Sequence, residues 1–237
     1  MEIKLAHLYP DILNLSADKG NILAIRQRCE KRGISFLTKT YGIDDEIDFE
    51  NTNIILIGGG CEKDKITVSK KLMEMKEKID KYIADGGLII AVSSSYPIIG
   101  KEFEAEGEIH KGLSLVDMTT TYDRKRKTGN VVLKSHTLNH TIVAFENHND
   151  KTTFGEGVMP LGEVIYGANK GQMEGVITEN IVATHLHGPI LPKNPLLTDY
   201  IIAQALKNNG ESSELTHIDS HFEENAHNYI LKTLKIS

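Results

Sequence analysis

Three short segments carry the residue types from which a hydrolytic site can be built: Ile57-Gly58-Gly59-Gly60, Val92-Ser93-Ser94-Ser95-Tyr96 and Thr184-His185-Leu186-His187-Gly188-Pro189. Ser93 closes the apolar run Leu88 to Val92. A hydroxyl at a sharp strand-to-helix elbow is open to a substrate, and a helix N-terminus beside it favours developing negative charge. His187 is the candidate general base for that oxygen. The glycine triplet has no side chains to hold a ligand off, so its backbone N–H groups can approach an oxyanion. Plainer readings stand beside these. Serines also cap helices, and a glycine triplet also makes a tight turn.

Other residues compete for chemical roles. His185 and His187, two apart, share one face if the strand continues through them, which is the spacing of a metal-binding pair; no third ligand of similar placement accompanies them, and no metal is assigned. Phe145-Glu146-Asn147-His148 is a candidate functional loop, with His148 read as a solvent-facing turn residue. Arg124, Lys125, Arg126 and Lys127 form a basic cluster that either holds a carboxylate or belongs to a solvated loop. Cys61 directly follows the triplet, but at a different backbone position from Ser93, and no nucleophile role is assigned to it. The run Ala91-Val92-Ser93-Ser94-Ser95 lacks the glycine flanks of the G-x-S-x-G elbow.

These tips need strands to carry them. Ile3–Leu8, Ser35–Thr40, Asn53–Ile57 and Leu88–Ala91 read as strands, and helices are expected at Asn21–Arg32 and Lys65–Ala84. This alternation predicts an α/β, doubly wound, mostly parallel sheet. Further on, Val131–Lys134, Thr141–Glu146, Gly175–Thr178 and Ile181–His185 read as shorter strands that continue it as a mixed sheet, with a helix at Pro195–Lys207. The stretch 221–234 has apolar residues at helical spacing and packs on the body or docks a partner. No linker or repeat divides the 237 residues, which are expected to form a single domain.

A net charge of -6 gives no basic footprint for nucleic acid or an anionic membrane surface. The N-terminus lacks the basic start and apolar core of a signal peptide, and no apolar run approaches the roughly 20 residues that span a bilayer. Two cysteines, Cys29 and Cys61, fit a reducing compartment. A cytoplasmic protein, not integral to the membrane, is expected.

Taken together, AHLYPDILNLSADKGNILAIRQR, LIGGG, RKTGNVV, AFENH and THLHGPILPKN resemble the class I glutamine amidotransferases of the cobyric-acid-synthase type, CobB/CobQ-like, and within them the GatD-type glutaminase subunits. The resemblance covers most of the chain. It implies the class I glutamine amidotransferase fold and glutamine hydrolysis through a thioester. The ammonia passes to a Mur-ligase-like partner that uses ATP and Mg to amidate a cell-wall peptide precursor; no cofactor is implied for this chain. Residue by residue, it puts the catalytic histidine on His187, the glutamine-holding arginine on Arg126, and the oxyanion donors on backbone N–H groups around Gly59, Gly60 and Ser94.

The nucleophile position is where the chain departs. The family's I-C-G-G-Y-Q falls on Val92-Ser93-Ser94-Ser95-Tyr96-Pro97, so Ser93 stands in place of the cysteine. A thiol is readily drawn into thiolate, whereas an alcohol must lose its proton during attack. The flanking changes are expected to alter the elbow as well. Pro189 occupies the place where many relatives carry a glutamate, leaving Glu146 and Asp18 as candidates to orient His187. Three readings follow: a subunit of the ligase complex with weak or lost glutaminase activity, a non-catalytic regulatory or binding subunit, and an active Ser-His amidase.

Overall fold

The computed structural model describes residues 1–16 and 18–236; Ala17, inside the AHLYPDILNLSADKG segment, and Ser237 lie outside the described residues. The first half alternates as the hydrophobic pattern demands: β1 (Glu2–Leu8), α1 (Lys19–Glu30), β2 (Ser35–Tyr41), β3 (Ile54–Ile57), α2 (Glu62–Glu74), α3 (Lys76–Ala84) and β4 (Leu88–Val92). A 3-10 turn, Ser93–Ile99, follows β4. The long helix expected over Lys65–Ala84 starts earlier, at an N-terminus where the Cys61 N–H donates to Asp64 (2.8 Å). It breaks at Met75, whose backbone (φ -109°, ψ 15°) leaves the helical range.

After β5 (Glu102–Ala105) and β6 (Glu108–Lys111) come two long strands, β7 (Met118–Ser135) and β8 (His140–Phe154), then β9 (Gly162–Tyr166), β10 (Met173–Glu174), β11 (Val176–Ile177) and β12 (Ile181–Thr184). Helices α4 (Pro195–Asn208) and α5 (His221–Thr233) close the chain. Among the described residues, no helix is long and apolar enough to cross a membrane.

The first sheet has the order β11-β12-β4-β3-β1-β2, parallel except for the β11–β12 hairpin. Its central strands are buried on both faces. Leu56, Leu88, Ile90 and Val92 point into one apolar cluster, and Ile55, Ile57, Ile89 and Ala91 into another. This is why they read as unbroken apolar runs. The second half departs from the expected continuation: only β11 and β12 join this sheet, while β10-β9-β7-β5-β6 form a second one with β8 paired to β7. Val131, Leu133, Ile142 and Ala144 set it against the first sheet in the cluster that holds Val92. The short strands expected around a turn are the inner ends of one hairpin. Its outer halves are polar on their solvated face and so escape an apolar count.

Register decides where chemistry can gather. Ile57 pairs with Ala91, and Val92 with Thr184. Gly58–Gly60, Ser93 and His185–His187 therefore leave the sheet from the same edge, the carboxyl ends of β3, β4 and β12.

Candidate active site

Ser93 has φ of 60°. A non-glycine residue in the left-handed region is uncommon and persists only where its surroundings hold it. The turn from β4 into Ser93–Ile99 is thus a sharp elbow, and the Ser-Ser-Ser-Tyr-Pro sequence has not straightened it. Ser95 anchors the turn from within: its buried hydroxyl contacts the carbonyls of Ile57 (2.8 Å) and Val92 (3.0 Å). Pro97 sits inside the 3-10 turn.

The glycine triplet presses against this elbow. A Cβ on Gly59 would lie 2.7 Å from the Ser93 Cβ and Oγ and 2.3 Å from the Ser16 Oγ; one on Gly58 would lie 2.3 Å from an Asp18 oxygen. Only glycine fits. Two of the N–H groups expected to receive an oxyanion, those of Gly59 and Gly60, are already engaged, however. Gly59 donates to Asp18 Oδ2 (3.0 Å), and Gly60 donates to Ser94 Oγ (2.7 Å). Asp18 is fully buried, its other oxygen has no hydrogen-bond partner among the described residues, and burial pushes its carboxyl up to about 6.

His187 is half-buried at the same edge. Its backbone pairs in both directions with Phe145 of β8 (N–H to O 2.9 Å, O from N–H 3.2 Å), and the two rings meet edge to face at 5.8 Å. Among the described residues its ring makes no hydrogen bond, either to Ser93 or to a carboxylate. Burial, then the neighbouring His148 and Lys193, lower its pKa below the usual histidine value, so it is neutral and basic near pH 7. Neither carboxylate considered for orienting it does so. Asp18 serves Gly59, and Glu146 lies 3.3 Å from His148 and accepts from the Ala168 N–H (3.2 Å).

Arg126 falls in an irregular stretch of the hairpin between Tyr122 and Lys127, exposed, with its Nε donating to Asn147 Oδ1 (2.9 Å). Asn147 and Phe145 share the outer face of β8, so Arg126 and His187 flank one open surface. The basic cluster itself divides: Lys127 turns inward, buried, bonding Asp123 (2.7 Å) and the Asp150 carbonyl (2.9 Å). Cys61 is exposed at the start of α2.

The histidine pair separates too. Strand β12 ends at Thr184, so the alternation behind the shared-face reading stops, and His185 turns inward at 2% exposure. Its Nε2 lies 3.3 Å from Asp150 and its Nδ1 3.5 Å from Glu174, close ion pairs without hydrogen-bond alignment. His148 is not the expected solvent-facing turn residue. It lies on the inner face of β8 with its ring stacked on His185. Its Nδ1 accepts from the Asp150 N–H (3.1 Å), leaving the Nε2 proton facing Glu146. Burial and the His185 charge lower its pKa, so it stays neutral.

Burial opposes charge on His185, yet Glu174 and Asp150 raise it to about 9; burial likewise opposes ionisation of both carboxyls, and His185 holds each at about 2. Ligand atoms of His148, Asp150 and His185 come within 4.8 Å of one another, near enough to share an ion. Parallel stacked rings cannot aim their in-plane lone pairs at one point. Lys65, 3.9 Å from Asp150, also balances the cluster as two cations against Asp150 and Glu174. Both points favour an ion-pair network over a ligand set. Asp150, Glu174 and Lys65 carried no motif signal; only the inward alternation of Glu146, His148 and Asp150 along β8 hinted at it.

A cavity of about 590 Å³, lined by Phe49, Lys78, Tyr82, Gly87 and Asn208 among others, opens at the other edge of the sheet, before β3 and β4, and contains none of these groups.

The CobB/CobQ-like glutamine amidotransferase domain matches residues 4–195. The Staphylococcus aureus (strain N315) lipid II isoglutaminyl synthase (glutamine-hydrolyzing) subunit GatD is 35% identical over 226 residues, 94% of this chain and 92% of that one. The Streptococcus pneumoniae (strain ATCC BAA-255 / R6) subunit of the same name is 30% identical, over 87% and 81%. A crystal structure of a glutamine amidotransferase superposes with a TM-score of 0.58 at 16% identity, over 84% of this chain and 98% of the other, a likeness of fold.

Proposed function

We infer that this chain, which belongs to the CobB/CobQ-like glutamine amidotransferase family, is a GatD-like subunit of a Mur-ligase-type complex that amidates a cell-wall peptide precursor, and that its own glutaminase activity is weak or lost. The observation that carries the reading is Ser93 at φ 60°, an oxygen held in the elbow beside Gly59. The architecture for presenting a nucleophile is kept while the atom is changed.

The chemistry follows from the groups present. For Ser93 to attack an amide carbonyl, His187 has to take the hydroxyl proton as the C–O bond forms. His187 is neutral and able to accept it, but among the described residues no hydrogen bond joins it to Ser93 and no carboxylate steadies the imidazolium that would result. The tetrahedral oxyanion needs donors, and Gly59 and Gly60 give theirs to Asp18 and Ser94. Each lost donor of this kind lowers turnover by about 10²–10³. Arg126, across the open surface from His187, is the group we assign to the glutamine carboxylate, since a guanidinium holds a carboxylate in a fork.

The partner we propose is a Mur-ligase-like subunit that uses ATP and Mg to activate the acceptor carboxyl. Ammonia from solution can attack that acyl phosphate without help from Ser93, in the cytoplasm where the precursor is made. Reconstitution of the pair tests this. Expected are ATP-dependent amidation with ammonium, little with glutamine, and a drop when this chain is omitted. Ligase activity indifferent to the chain favours a regulatory module. Glutamine turnover near 10 per second, an ordinary enzyme rate, favours an active Ser-His amidase.

A further inference from the structure

We propose that His185 is a positioning residue for the Ser93–His187 site: its buried ring, held between Asp150 and Glu174 and edge-on to Tyr96, fixes the strand end that bears His187 to the second sheet and to the turn that bears Ser93. This assignment rests on the reading of Ser93 and His187 as the site.

Three structural elements meet at this ring. Asp150 comes from β8 and Glu174 from β10, both in the second sheet. Tyr96, three residues beyond Ser93, is fully buried with its ring 4.5 Å from His185 at 77°. His185 itself is the first residue past β12 and two before His187. Glu174 reinforces the join, since its Oε1 accepts from both the Thr184 hydroxyl (2.7 Å) and the His185 N–H (2.9 Å). The charged groups around the ring are Asp150, Glu174 and, through Asp150, Lys65 of α2; neutral His148, paired with Glu146, covers its face.

A mere filler of this space would not need charge. Well-packed apolar side chains in place of the whole set would avoid the desolvation of four ionisable groups, and such replacements often match or exceed a buried ion network in stability. What an apolar filler cannot do is fix direction. Two carboxylates from different strands define the orientation of one ring, and a misplacement of about 1 Å at a reacting group costs up to about 10²-fold in rate.

The test uses the full chain with Cys61→Ser and Ser93→Cys, so that the one thiol outside the core reports on the elbow; Cys29 is buried. Alkylation by chloroacetamide across pH measures how the introduced thiol is presented and which neighbour titrates with it. Adding His185→Gln is expected to lower the alkylation rate at pH 7 about tenfold and to shift the midpoint of its pH profile. Val182→Ala, a buried change on β12 away from the network, is expected to lower thermal stability and leave that midpoint in place. If His185→Gln does not fold, Glu174→Gln keeps the volume, removes one charge, and is expected to shift the midpoint in the same sense. A parent profile unlike that of a free thiol, with His185→Gln and Glu174→Gln behaving like Val182→Ala, overturns the positioning role alone. A parent profile identical to a free thiol overturns the site reading and the positioning role with it. Stoichiometric metal in the purified natural chain would replace the ion-pair network with a ligand set and overturn the proposal.

Discussion

His185 lies flat against His148, the two rings parallel within 1° and 4.1 Å apart at their centres. One ring is charged and the other neutral, because only His185 has a carboxylate at each nitrogen. The contact joins the end of β12 to β8 directly beneath the edge where Ser93 and His187 emerge.

This pairing gives stability a defined pH window. His185 is raised from 6.5 to about 9, so its contribution is complete below pH 6.5 and is lost as pH rises through about 9. A shift of that size corresponds to on the order of 3 kcal/mol, and the partner carboxyl shifts describe the same contacts and are not added to it. Asp150 and Glu174, held at about 2, contribute above their ordinary values near 4, and that contribution disappears as pH falls through about 2. Denaturant midpoints measured from pH 6 to 10 are expected to fall on the alkaline side for the natural chain. The His185-dependent part of that fall should vanish in His185→Gln; an unchanged alkaline limb in the variant contradicts the assignment.

Ser93→Cys alone is expected to restore little glutamine hydrolysis, because Gly60 still donates to Ser94. Adding Ser94→Gly releases that N–H and is expected to raise turnover by about 10²-fold over the single variant, the lower end of the range for one oxyanion donor. Steady-state kinetics of both variants in the reconstituted complex decide this. Equal turnover would show that the Gly60 donor is irrelevant.

Gly59→Ala should be costly out of proportion to one methyl group. The added carbon meets Ser16 Oγ at 2.3 Å and Ser93 at 2.7 Å, so the elbow or the loop before α1 must move. A loss of about 1–3 kcal/mol is expected from such overpacking. Equilibrium urea unfolding measures it, and a variant as stable as the natural chain would mean that the triplet stands farther from Ser93.

If Arg126 holds a carboxylate, Arg126→Lys should weaken glutamine binding to the complex by at least about tenfold, since lysine cannot form the fork. Calorimetry on the natural and variant complexes supplies the comparison. No glutamine binding to the natural complex at millimolar concentration would leave Arg126 as a surface partner of Asn147 only.

The sequence alone determined the scaffold and the positions of the tips. Ile54–Ile57 and Leu88–Val92 are apolar at every residue, as strands buried on both faces are, and in a parallel sheet the residues after them leave from one edge. Ser93 and Gly59 were legible because their local sequence fixes where the chain turns. Tertiary structure decided which side chains serve those tips. His185 turns inward and His187 outward because β12 stops at Thr184; His148 lies on the inner face because β8 is far longer than its apolar segment. Asp18 reaches Gly59 from 41 residues away, and Glu174, Asp150 and Lys65 meet around His185 from separate elements. Such partners follow no local period. Their ionisation states depend on burial and on charges that only the assembled sheets bring within a few ångströms of one another.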